Sequence, residues 1–87
     1  MIKKSNSSRI IQVNDNIKIG ANIKKIRKER GYKQTAFLTQ LQLKGVDISI
    51  YSLSRIENGT QNPTVSFLLA TCEILECDMN TIFEIMV

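Results

Sequence analysis

Arg55 is the only basic residue in the second half of the chain, and it sits in the stretch SLSRIENGTQNP, Ser52 to Pro63. Ser49 is a good helix N-cap and Gly59 a good stop, so the residues between them read as a helix of about two turns. At about 100° per residue, Leu53 and Ile56 share one side, which leaves Tyr51, Ser54, Arg55 and Asn58 on the other. A helix anchored by two aliphatics and presenting a cation, an aromatic ring and hydrogen-bonding groups is poorly explained as core. It is well explained as a reader of double-stranded DNA. Arginine pairs bidentately with guanine, amide and hydroxyl groups reach bases or phosphates, and aliphatic or aromatic groups touch thymine methyls.

Other chemistries lack their parts. The chain has no histidine and two cysteines, no glycine-rich phosphate loop, and no nucleophile with a base partner in sequence reach, so an enzyme is not expected. A metal site lacks ligands, and no cofactor is implied. A five-residue helical spacing puts Cys72 and Cys77 on different faces, which predicts two reduced, packed thiols. The longest apolar runs are only a few residues, such as Phe67 to Ala70, so nothing spans a bilayer, and a cytoplasmic location is expected.

Charge is distributed by position. Residues 1–44 hold 11 of the 12 Lys and Arg against two acids, a net +9, while residues 45–87 hold one base against six acids, a net −5. A positive end of this kind suits contact with a polyanion, although a solvated helix face would have the same composition. Residues 1–16 are polar and rich in Ser and Asn, and read as a flexible arm ahead of one domain over residues 17–87.

Stepping along that domain, apolar periodicity predicts helices and little else. Ile19, Ile23 and Ile26 share a face of a first helix that Gly31 closes. A second starts near Lys33 or Gln34, buries Phe37, Leu38 and Leu41, and ends at Gly45. The Ser49 to Asn58 helix is the third. Pro63 is placed to open a fourth, apolar almost all round and therefore central, with Val65, Phe67, Leu68, Leu69, Cys72, Ile74 and Leu75. Asp78 caps a fifth that turns Met79, Ile82, Phe83 and Met86 inward. Phe37, Phe67 and Phe83 are expected in the core, Tyr32 packed between helices, and the Arg30 stem snorkelling outward.

The segments IGANIKKIRKERGYKQ and LSRIENGTQNPTVSFLLATCEILECDMNTIF resemble the helix-turn-helix domain of the lambda-repressor-like, Cro and Xre-type regulators, over roughly Ile17 to Phe83. The resemblance implies an all-α, compact five-helix bundle whose second and third helices form the DNA-binding unit, the third lying in the major groove. It implies that Ser49, Ile50, Tyr51 and Arg55 face the bases and that Gln34, Asn58, Thr60 and Gln61 grip the backbone. Lys33 and Lys44 are divided evenly between phosphate contact and solvation. It also implies a structural ion pair between Arg27 and Glu57. Three departures stand out. Added residues in LQLKGVDIS lengthen the second helix and enlarge the turn, Leu38 replaces a small alanine, and Glu76 replaces the glycine usual before the fifth helix.

The leading expectation is therefore a sequence-specific, DNA-binding transcriptional regulator made of the binding domain alone. An antitoxin or protein-interaction adapter on the same fold is the second reading. Ile85 and Val87, apolar beyond the inward face of the last helix, suggest a homodimer through the C-terminal helix.

Overall fold

A computed structural model describes residues 18–84. They form five helices, α1 (Ile19–Glu29), α2 (Gln34–Leu43), α3 (Ile50–Glu57), α4 (Val65–Leu75) and α5 (Met79–Ile82), which is the all-α bundle expected. The arm of residues 1–16 lies outside the described residues, as do Ile85, Met86 and Val87.

The first four helices end alike. Each closes with a bond from an amide back to the carbonyl five residues earlier: Tyr32 to Arg27, Val46 to Leu41, Thr60 to Arg55 and Cys77 to Cys72, at 2.9 to 3.1 Å. This is the Schellman closure, which needs a left-handed residue just before the donor. Gly31, Gly45 and Gly59 fill that position at φ +82°, +88° and +81°, while the fourth closure uses Glu76 at φ 54°. The unusual Glu76 thus occupies a backbone conformation that costs an L-residue about 1–2 kcal/mol.

Starts are less uniform. Ser49, Thr64 and Asp78 each accept a hydrogen bond from an amide in the first turn of α3, α4 and α5. Helices α1 and α2 instead have Lys18 and Lys33 at the N-cap, with no side-chain cap. The Thr64 cap corrects one expectation. Pro63 does not open α4; it is buried one residue upstream of the cap. A hydroxyl that satisfies the Phe67 amide fixes the helix start more firmly than a proline that only presets φ.

One core joins all five helices: Ile19, Ile23 and Ile26 of α1, Phe37 and Leu41 of α2, Leu53 and Ile56 of α3, Phe67, Leu68 and Leu75 of α4, and Ile82 of α5. Phe37 and Phe67 meet edge to face at 6.4 Å, and Tyr32 packs on Phe37 at the same centroid distance, as its position after Gly31 suggests. Leu38 is only half-buried, not a full core residue. Nor is α4 apolar-buried all round, since Leu69 is 53% exposed. Phe83, too, lies at the edge of the core.

Between α2 and α3 the chain takes six residues, Lys44 to Ser49. Val46 is buried in this turn, and Gln42 Nε2 donates to the Ile48 carbonyl at 3.1 Å. The turn is thus packed onto the bundle and sets the direction in which α3 leaves it. On the far side α1 and α3 approach with almost nothing between them. A Cβ on Gly20 would fall 1.9 Å from the Ile56 carbonyl oxygen, so only glycine permits this crossing.

Candidate nucleic-acid interface

The inward side of α3 is built around Glu57. Its carboxylate accepts from Arg27 Nε at 2.7 Å and Nη2 at 3.1 Å, a bidentate pair of the expected partners. Arg27 and Glu57 are only 5% and 4% exposed. Arg27 Nη1 further donates to the Tyr32 carbonyl at 2.7 Å, tying the pair to the turn after α1. Gln34 extends the network: its Nε2 donates to Glu57 Oε1 at 3.1 Å, and its Oε1 accepts from the Ser54 hydroxyl at 3.3 Å. Arg27, Glu57, Gln34 and Ser54 therefore lock α1, α2 and α3 together, every bond but that between Ser54 and Gln34 being charge-assisted.

The outward side carries the chemistry read from sequence. Tyr51 is 73% exposed, and Arg55 one turn on is also exposed. Arg55 does not hang free. Its Nε donates to Gln61 Oε1 at 3.0 Å and its Nη2 to the Ser52 hydroxyl at 3.3 Å. A guanidinium has five N–H groups, so three remain, including both on Nη1. Ser49 stands exposed at the N-terminal end, where its hydroxyl oxygen accepts the Ser52 amide at 3.1 Å. Ile50 leans half-buried against the core.

The residues expected on the backbone fall into separate places. Lys33 stands exposed at the uncapped start of α2, where free amides and the helix dipole favour an anion. Gln34 is beside it, with one Nε2 hydrogen committed to Glu57 and a second remaining. Asn58 caps the C-terminal end of α3, followed by Thr60, whose hydroxyl donates to the Arg55 carbonyl at 3.3 Å. Gln61 supports Arg55. Lys44 is set apart, with its ammonium 3.7 Å from the Glu73 carboxylate on α4.

Four supports were not anticipated. Gly20 reads as an ordinary helical residue until the α1–α3 crossing is known. Asn22 is buried and donates to the Ile82 and Glu84 carbonyls at 2.7 and 3.0 Å, holding the end of α5 on α1. Its only sequence signal is a polar residue next to the apolar face of the first helix. Arg30 crosses to α4, where Nε donates to the Leu75 carbonyl at 2.7 Å. Cys72 and Cys77 share one Schellman closure. The reading that places them on different faces assumes a continuous helix, and Glu76 breaks it.

Among the described residues, no group of His, Cys, Asp or Glu could hold a metal ion, and no helix is long and apolar enough to cross a membrane. A short helix packed across another, with one side locked in a buried network and the other presenting Tyr51 and Arg55, defines a helix-turn-helix module. Residues 23–82 match the family model described as "Helix-turn-helix", and the chain belongs to that family, in its lambda-repressor and Xre-like form. It is a DNA-binding family, not an enzymatic one. No curated protein and no solved structure matches the chain.

Proposed function

We propose that the protein is a sequence-specific transcriptional regulator of the Xre/Cro type that seats α3 in the major groove of double-stranded DNA. The observation carrying this reading is the exposure of Tyr51 and Arg55 on the side of α3 opposite its buried anchors, with three guanidinium N–H groups uncommitted. Arg55 reads a guanine with its free edge, which is the edge that matches the O6 and N7 acceptors. Ile50 or Tyr51 touches a thymine methyl, and Ser49 offers its hydroxyl proton at the entering end of the helix. Lys33, the first amides of α2 and the second hydrogen of Gln34 Nε2 take a phosphate. Asn58, Thr60 and Gln61 flank the backbone beyond α3, and Lys44 reaches a phosphate only by leaving Glu73.

Selection from a random duplex library tests the reading. An enriched motif with guanine at one position per half-site is expected, and log affinity should fall linearly with log salt at roughly −0.9 per phosphate contact. If two copies join through the C-terminal helix, the motif has two-fold symmetry with half-sites roughly 34–36 Å apart, and sedimentation shows a dimer on the selected site. Failure to bind any duplex at low salt would instead favour the adapter reading, for which the exposed Leu43 and Leu69 offer apolar contacts.

A further inference from the structure

The Schellman closure of α4 has a chemical consequence that those of α1, α2 and α3 lack. In this motif the side chain three positions before the helix cap closes onto the one just after the left-handed residue. At the end of α2 these positions hold Leu41 and Val46, both buried. At the end of α4 they hold Cys72 and Cys77, both free and half-buried against the core. The Cys77 amide donates to the Cys72 carbonyl at 3.1 Å across Glu76, whose φ and ψ are 54° and 51°. That closure puts the two residues on either side of a single left-handed residue, each packed against the core. Above the same turn, Arg30 from α1 donates through Nη2 to the Glu76 carbonyl at 3.4 Å, and Asp78 follows as the N-cap of α5.

We propose that Cys72 and Cys77 form an oxidation site, a dithiol that a low-molecular-weight disulfide converts to an intramolecular disulfide across the end of α4. Cys77 reacts first. Burial raises both thiols, but the neighbouring Cys72 and the charge of Arg30 favour the thiolate at Cys77. Cys72 is pushed up to about 11 by burial and then by the neighbouring Cys77. The Cys77 thiolate attacks one sulfur of the small disulfide, forming a mixed disulfide and releasing one small thiolate. Cys72 then gives its proton to solvent and attacks the Cys77 sulfur, which expels the second small thiolate. Both thiolates take up protons, so two protein thiols are oxidised and one small disulfide is reduced to two thiols. Because the thiolate is the attacking species, the burial that disfavours it on both sulfurs makes the first step slow.

The full chain incubated with glutathione disulfide at neutral pH, followed by intact mass and thiol titration, tests this. The folded chain is expected to become a monomer lighter by two hydrogens, losing both thiols together, with little of the singly glutathionylated form. In urea, where the turn is lost, that adduct should accumulate about tenfold more, because closure no longer has the effective concentration the fold provides. Cys72→Ser should trap glutathione on Cys77, while Cys77→Ser should react about tenfold more slowly. Stable adducts or disulfide-linked dimers from the folded wild-type chain, or closure no faster than in urea, would overturn the proposal. Since that measurement uses the unaltered protein, it stands whether or not either variant folds.

Discussion

On its inner side α3 is held by Leu53 and Ile56 in the core and by a carboxylate that receives three hydrogen bonds from Arg27 and Gln34. On its outer side Arg55 is steadied by two exposed bonds, to Gln61 and Ser52, and Tyr51 stands in solvent. The difference is one of environment more than of residue type, since both sides use an arginine. Arg27 is desolvated and donates from each of its three nitrogens, so its loss leaves Glu57 buried without its charge partner. Arg55 keeps most of its hydration and more than half of its N–H groups, so it has bonds to offer a ligand and little bearing on the fold. Eight residues thus separate stability from recognition by a half-turn of helix.

If that separation is real, the largest effect lies inside. Arg27→Ala or Glu57→Ala should each cost about 3–5 kcal/mol of stability, read as a lowered denaturation midpoint, and the double variant should cost less than the sum of the singles. Unchanged melting in both would break the comparison at its inner side. Next, Arg55→Ala should leave melting within about 0.5 kcal/mol of wild type while weakening the selected duplex by about 1–3 kcal/mol and relaxing preference at one base pair per half-site. An equal loss on every single-base mismatch would mean that Arg55 does not read sequence.

Gln34 lies between the two sides and sharpens the boundary. Gln34→Ala should lose about 1 kcal/mol of stability through its bonds to Glu57 and Ser54, and should weaken all duplexes alike, because a phosphate contact carries no sequence information. The smallest effect belongs to neither side. Glu76→Gly removes the left-handed penalty at the end of α4, offset in part by glycine's greater freedom in the unfolded chain. A gain of about 0.5–1 kcal/mol is expected, with duplex affinity unchanged in a titration.

The bundle was legible because its helices obey local rules. Isoleucines at helical spacing, serine and aspartate caps and glycine stops each act within one turn of chain, and the Arg27–Glu57 pair followed from the family resemblance together with the flanks of two apolar faces. What escaped were relations between elements. The family resemblance implies a phosphate contact for Gln34; its turn toward Glu57 depends on where α3 crosses α2. Pro63 signals a helix start, but the helix begins two residues on, where the Thr64 hydroxyl accepts the Phe67 amide. The cysteines were separated by a helical wheel that does not survive Glu76. Leu69 is exposed although it lies in an apolar run, because periodicity reports an apolar residue without saying whether another helix covers it.

The contact of Gly20 with the Ile56 carbonyl bears on how a duplex must behave. Two helices that meet through side chains can roll against one another as those side chains change rotamer, but here main chain meets main chain and α3 has no such play. On the proposed reading, a groove of the wrong width or twist cannot be met by shifting α3 against α1, so more of the strain of the misfit falls on the nucleic acid. Stiff and pliable base steps then differ in binding energy even where no side chain reaches them.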